Sequence, residues 1–204
     1  NSNVVLMVTI LRSTILLHLL IFLTASDAFA ESFAALEKAA KERTLHAVRY
    51  DGSYYVIPYP NGDVPATIGV CTDVIIRSYR KIGVDLQKLV HEDIKAHFSS
   101  YPSNRIWGLN RPDRNIDHRR VPNLQTFFSR HGRSLIVSND PETYRAGDIV
   151  TWMLNSNRPH IGIVADQKSH VSGNPLIIHN IGAGPKLEDM LFNYQITGHY
   201  RYLP

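Results

Sequence analysis

One cysteine stands in the whole chain, in Ile68-Gly69-Val70-Cys71-Thr72-Asp73-Val74-Ile75-Ile76, where an extended run gives way to a helical pattern. A thiol attacks carbon as the thiolate, a form favoured by a helix N-terminus and by a neighbouring imidazole. With no second cysteine there is no intramolecular disulfide to make, so the thiol is buried, bridged between chains or reactive. Its placement at a first helical turn points to the last, with Cys71 a candidate nucleophile. Such a nucleophile needs a base, and ten histidines are present. His160 opens His-Ile-Gly-Ile-Val just after a turn, where a strand's first side chain can project from the sheet's end into a cleft. Gly162 falls on the same face and lets another backbone or a substrate come close. His179 closes the apolar run Leu176-Ile177-Ile178 and, with Asn180, forms a polar pair of the kind that carries a strand's end into a site. An inward His179 can hydrogen-bond the first imidazole and hold its tautomer. The plain alternatives are a small buried helix residue for Cys71 and hydrogen-bonded structural roles for both histidines.

These side chains need a helix and a sheet to position them. Phe33, Leu36 and Ala40 recur at helical spacing in an Ala-, Glu- and Lys-rich stretch and predict a first helix over 32–43. Residues 48–56, aromatic and β-branched around Asp51-Gly52, predict extended segments joined by a turn. After Cys71, the residues Val74, Ile75, Ser78, Tyr79 and Ile82 trace one face of a central helix, with Gly83 where a left-handed C-terminal residue belongs. Asp85 is placed to cap a helix that faces inward through Leu86, Leu89, Val90, Ile94 and Phe98. Pro122 stands near the start of a further helix with Leu124, Phe127 and Phe128 inside. The polar connection 101–120 between these helices is long enough to be a site-lining loop or to hold structure of its own. From there on short β-branched or aromatic runs, 134–137, 148–154, 160–165, 176–181 and 198–203, alternate with turn signals such as Asn155-Ser156-Asn157. Helices first and an antiparallel sheet second define an α+β chain, with no repeat or internal boundary.

Six stretches together resemble a known family: Gly69-Val70-Cys71-Thr72-Asp73-Val74, the run from Asn115 to Leu124, Ala146-Gly147-Asp148-Ile149-Val150, Pro159-His160-Ile161-Gly162-Ile163-Val164, Ile178-His179-Asn180-Ile181-Gly182 and Gly198-His199-Tyr200-Arg201-Tyr202. The family is the bacterial domain of unknown function 1287, and the order of motifs is also similar to that of the NlpC/P60 cell-wall peptidases. The second resemblance implies a papain-like fold with Cys71 as nucleophile, His160 as base and His179 as the group that orients the base. No metal and no cofactor are expected. The Asp-Cys-Ser typical of those peptidases is here Val70-Cys71-Thr72, so the carboxylate that would hold a substrate's free amine is missing from its place. Asp73 is the candidate to take over that role. Asp117 and Arg119, in the 101–120 connection, and Asn180, beside His179, are further candidate substrate contacts, Arg119 by bidentate pairing with a carboxylate. A metal site built on His160, His179 and His199 has no His-x-His or His-x3-His pair behind it.

Residues 1–30 are expected to be an export leader. Arg12 supplies a positive n-region, residues 15–23 an apolar stretch too short to span a bilayer, and Ala28-Phe29-Ala30 a cleavage site ahead of Glu31. Met7 is the alternative start. Residues 31–204 then form one domain, exported and without a membrane anchor after cleavage. Losing Arg12 and Asp27 together leaves the net charge at +4. That balance suits adhesion to anionic envelope polymers, and the scattered basic residues do not form a nucleic-acid patch. The expectation is therefore a monomeric thiol-dependent amide hydrolase acting on peptidoglycan stem peptides or another envelope amide. The alternative is a catalytically silent envelope-binding module of the same fold.

Overall fold

The computed structural model describes residues 31–155 and 157–204; the expected leader and Ser156 lie outside them. Residues 31–43 are helical (α1), as their spacing predicts. The stretch that follows departs from expectation. Only Arg49–Tyr50 (β1) is a strand, and its partner is Ile68–Gly69 (β2), in parallel. Asp51 closes its own turn by accepting the Ser53 amide at 2.9 Å, so the Asp-Gly step bends the chain without making a hairpin.

Cys71–Lys81 form α2, and every residue from Cys71 to Tyr79 is buried. Gly83 takes φ 85°, and the amides of Gly83 and Val84 return to the Arg80 and Tyr79 carbonyls, ending the helix as a left-handed glycine does. Asp85 caps Leu86–Ala96 (α3) by accepting the Lys88 amide at 3.2 Å. The 101–120 connection is partly structured: it holds the short helix Ser103–Trp107 (α4) and a 3-10 turn at Asp117–Arg119. Val121–His131 (α5) follows, with Pro122 in its first turn.

The remaining strands are Arg133–Ser134 (β3), Ile149–Leu154 (β4), Arg158–Lys168 (β5), Pro175–His179 (β6), Lys186–Glu188 (β7) and Gln195–Arg201 (β8). They form one antiparallel six-stranded sheet in the order β3-β8-β4-β5-β6-β7. The fold is α+β, with helices in the N-terminal half and the sheet in the C-terminal half. The run 134–137 stops being a strand after Ser134, leaving Ile136 and Val137 exposed. β7 has no counterpart in the expected strands.

Period-two alternation divides the sheet into two apolar faces. Ile149, Ile161, Ile163, Ile178 and Tyr200 share a core with Cys71, Val74, Ile75, Leu124 and Phe128 from the helices. Val150, Trp152, Val164 and Ile177 pack on the other face with Met190 and Leu191. Gly162 lets β5 and β6 come together: a Cβ there would lie 2.6 Å from Ile177 and 3.1 Å from the Ile178 carbonyl. The space it keeps open is filled by the neighbouring strand, which draws His179 toward His160. Among the described residues no helix is long and apolar enough to cross a membrane.

Candidate active site

Cys71 is the first residue of α2, and the strand amides explain where its sulfur rests. The Val164 amide bonds to Asp148 on the β4 side, so by alternation the Ile161 and Ile163 amides point toward β6. β6 ends at His179, and at that end its pairing with β5 stops at Ile163 and Ile178. The Ile161 N–H therefore lies past the last β6 pair, and the Cys71 sulfur takes its hydrogen bond, along with help from the amides of Thr72 and Cys71 itself. Tyr50, on β1, brings its phenol against the same sulfur. The thiol is thus wedged at the sheet's end, beside the residue that follows His160 in the chain.

Burial governs its acidity. Removal from water pushes the Cys71 thiol up to about 12, the nearby Asp73 carboxylate adds to the rise, and the three amides oppose it without prevailing. The helix N-terminus expected to favour a thiolate is present, but desolvation is the larger effect. The resting thiol is neutral.

His160 is buried on β5, opposite Trp152 on β4. Its Nε2 lies 2.9 Å from Nδ1 of His179, with the ring planes at 82°. Burial, and then the neighbouring His179, push His160 down to about 3, so its imidazole is neutral as well. Among the described residues no hydrogen bond joins the Cys71 sulfur to either ring. His179, also buried, has Nε2 2.9 Å from a Glu188 carboxylate oxygen on β7, an ion-pair distance without hydrogen-bond alignment. Burial lowers the His179 pKa and Glu188 works against it.

The four candidate substrate contacts are occupied within the protein. Both Asp73 oxygens receive Arg119, Nε to Oδ1 at 2.9 Å and Nη2 to Oδ2 at 3.0 Å, with each side chain 3% exposed. Asp73 Oδ2 also accepts the Val70 amide at 2.7 Å and so caps α2, while Val70 has no acceptor with which to reciprocate. Arg119 also donates to the Ser53 and Asp51 carbonyls. The pairing that was to hold a substrate amine or carboxylate is consumed internally, because each charge is the other's only affordable way to be buried. Asp117 accepts the Asp113 amide at 2.5 Å and Arg120 at 3.2 Å, and burial pushes its carboxyl up to about 6. Asn180 spans Gly69 and Gly182. Asn180 therefore ties β2 to the end of β6 beside the thiol and faces no open cleft.

Sequence reasoning missed Glu188 and Tyr50. Glu188 had a faint signal in the alternation Lys186-Leu187-Glu188 after a Gly-rich turn; Tyr50 was read only as part of an extended stretch. His199 is not gathered with His160 and His179. Its Nε2 lies 2.8 Å from Asp148, which also receives Arg201 in a bidentate pair, and its ring stacks on Tyr144. Among the described residues no group of three or more His, Cys, Asp and Glu side chains is arranged to hold a metal ion.

Two cavities bear on the site. One of about 450 Å³, lined by His179, Glu188, Met190 and Tyr194 among others, opens on the outer side of the histidine pair. A groove of about 1060 Å³ between the α3–α4 connection, α5 and β8 contains none of Cys71, His160 or His179.

A lone thiol heads a helix packed on one face of an antiparallel sheet, and two hydrogen-bonded imidazoles stand on the face of Trp152, Val164 and Ile177, in an α+β chain. The chain belongs to the family described as "Domain of unknown function (DUF1287)", whose sequence model matches residues 37–202. It is 51% identical over 173 residues to the uncharacterized protein YijF of Escherichia coli (strain K12), covering 85% of this chain and 83% of that protein. Among solved structures it is similar to NlpC1 from Trichomonas vaginalis, with a TM-score of 0.43 and 16% identity over 82% of this chain. The match spans 44% of that protein, so this chain corresponds to less than half of its length.

Proposed function

We propose that the protein is an exported amide hydrolase in which Cys71 is the nucleophile, His160 the base and His179 the group that orients it. One observation carries the reading: the 2.9 Å contact between His160 Nε2 and His179 Nδ1. It commits one ring nitrogen of His160 and leaves Nδ1 as the nitrogen that can exchange a proton. The resemblance of the motif order to NlpC/P60 peptidases supports the same roles.

The thiol and the imidazole both start neutral, so the proton moves as the bond forms. His160 takes the thiol proton while sulfur attacks the amide carbonyl carbon, and the carbonyl π electrons move to oxygen. In this reading the Cys71 and Thr72 amides, which bond the resting sulfur, turn to the developing oxyanion. The carbonyl re-forms, the C–N bond breaks, and His160 gives its proton to the leaving amine. Water, deprotonated by the same imidazole, then attacks the thioester and returns the thiol. The expected leader and the mildly basic charge support peptidoglycan stem peptides as the substrate we assign.

A second reading, a catalytically silent envelope-binding module, is favoured by the buried neutral thiol, which makes no hydrogen bond to an imidazole among the described residues. The discriminating measurement is muropeptide release by purified protein and by Cys71→Ala. Release that is lost with Cys71 supports hydrolysis. Release unchanged in the variant sinks it, and binding of peptidoglycan without release by either protein selects the module.

A further inference from the structure

We propose that Glu188 is a positioning residue that sets the tautomers of both site histidines, so that His160 keeps a bare Nδ1. This deepens the hydrolase reading and rests on it for its purpose, although not for its geometry.

Glu188 stands opposite Ile177 in the β6–β7 register, and alternation puts it on the same face as His179, two residues on. Its Oε2 lies 2.9 Å from His179 Nε2. That nitrogen is shielded from solvent, whereas the Glu188 side chain is 41% exposed. A carboxylate only accepts, so the neutral imidazole beside it is stable with its hydrogen on Nε2 and its lone pair on Nδ1. The opposite tautomer would set a lone pair against the carboxylate charge. Nδ1 of His179, now an acceptor, faces Nε2 of His160, which must then carry a hydrogen. A neutral imidazole has one ring hydrogen. With it on Nε2, His160 Nδ1 keeps its lone pair and can accept a proton. One surface charge therefore fixes two buried rings in the state that catalysis requires. Lys186, across the ladder from His179, opposes double protonation of that ring and so helps to keep it neutral.

The test is a long-range proton–nitrogen NMR correlation on the purified, histidine-labelled protein, which reports the hydrogen position in each ring directly. The wild type should show His160 and His179 both protonated on Nε2. Glu188→Ala should shift both rings to a mixture or to the Nδ1–H form. Glu188→Gln, whose amide oxygen can still accept, should restore the wild-type pattern. Glu188 lies on an edge strand and is partly exposed, so the variants are expected to keep the wild-type melting temperature. Both rings remaining Nε2–H in Glu188→Ala would overturn the proposal. Where hydrolysis is measurable, Glu188→Ala should lower kcat by up to about 10²-fold with little change in KM. Because the spectra do not depend on turnover, the tautomer result stands or falls apart from the Cys71→Ala release assay, whose failure would remove the hydrolase reading alone.

Discussion

Arg119 grips Asp73 with two parallel hydrogen bonds, Nε to Oδ1 at 2.9 Å and Nη2 to Oδ2 at 3.0 Å, two residues beyond the thiol on α2. The pair joins the 101–120 connection to the helix that carries Cys71, and Thr72 adds a buried hydrogen bond to the Arg119 carbonyl at 3.1 Å. Charge in this part of the chain works as an internal fastening for the head of the helix.

Removing either charge alone leaves the other buried and unpaired. Arg119→Ala should cost about 3–5 kcal/mol, as should Asp73→Ala, the latter also losing the cap on Val70. The double variant should be less destabilised than the sum of the two, because the uncompensated charge disappears with its partner. Urea unfolding of the four proteins makes the comparison. Additive losses would show that the pair is not coupled.

Cys71 should alkylate slowly. With the thiol pushed up to about 12 by burial, its thiolate fraction at neutral pH is about 10³-fold below that of a free cysteine. Iodoacetamide should therefore modify the native protein far more slowly than the urea-unfolded one at pH 7, with no plateau of reactivity at pH 5. Rapid modification at pH 5 would mean a thiolate–imidazolium pair and would contradict the neutral resting state. Tyr50→Phe, which removes the phenol from the sulfur's surroundings, tests whether that contact contributes to the slow rate.

Much of the fold was legible because it obeys local rules. Gly83, Asp85 and Pro122 mark helix ends through their own backbone chemistry, and the apolar spacing after Cys71 fixes which face of α2 is inside. The order Cys71, His160, His179 suggested the candidate residues; the two rings lie 2.9 Å apart, and alternation sets them on the sheet face away from the core that holds Cys71. What the chain could not disclose is nonlocal. Asp73 and Arg119 are 46 residues apart, and nothing in either segment says that they meet. The surroundings that override the helix N-terminus at Cys71 include Tyr50 of β1 and Ile161 of β5, both distant in sequence. β7 is three residues long and is a strand only because β6 offers it an edge, so Glu188 could not be placed beside His179 in advance.

Asp93 is the charge hub of the helical layer. It receives Arg130 at 2.7 and 3.1 Å, the Tyr101 hydroxyl at 2.5 Å, and the His97 and His131 rings at 3.0 and 3.1 Å. Burial tends to raise its pKa, but the hydrogen bonds from Arg130, Tyr101 and His131 outweigh that and hold the carboxyl below the usual range. A depressed carboxyl contributes stability that is present above its unfolded pKa and is lost as the pH falls through the folded one. Asp93→Ala should lose about 2–4 kcal/mol at pH 7, through the stranded Tyr101 and Arg130 donors. Thermal melting at pH 7 and pH 3 checks it, the gap between variant and wild type narrowing at the lower pH.

The buried histidines give the opposite kind of group in the same acid range. His118 is buried, and burial followed by the repulsion of Arg119, Arg80 and His91 pushes it down to about 3. His160 reaches about 3 through burial and His179. Above pH 6.5 both rings are neutral whether the chain is folded or not, and they favour neither state. Between about 6.5 and 3 the unfolded chain takes up protons that the folded chain refuses, so stability falls as the pH drops through that window. The loss from His118 should be on the order of 2–4 kcal/mol by pH 4. His118→Leu keeps an apolar side chain in the site and has no proton to bind. Its unfolding free energy should therefore fall less between pH 7 and pH 4 than that of the wild type. An equal fall in both proteins would show that His118 already binds a proton in the folded state, with a partner for its Nδ1, which is buried and without a hydrogen bond here.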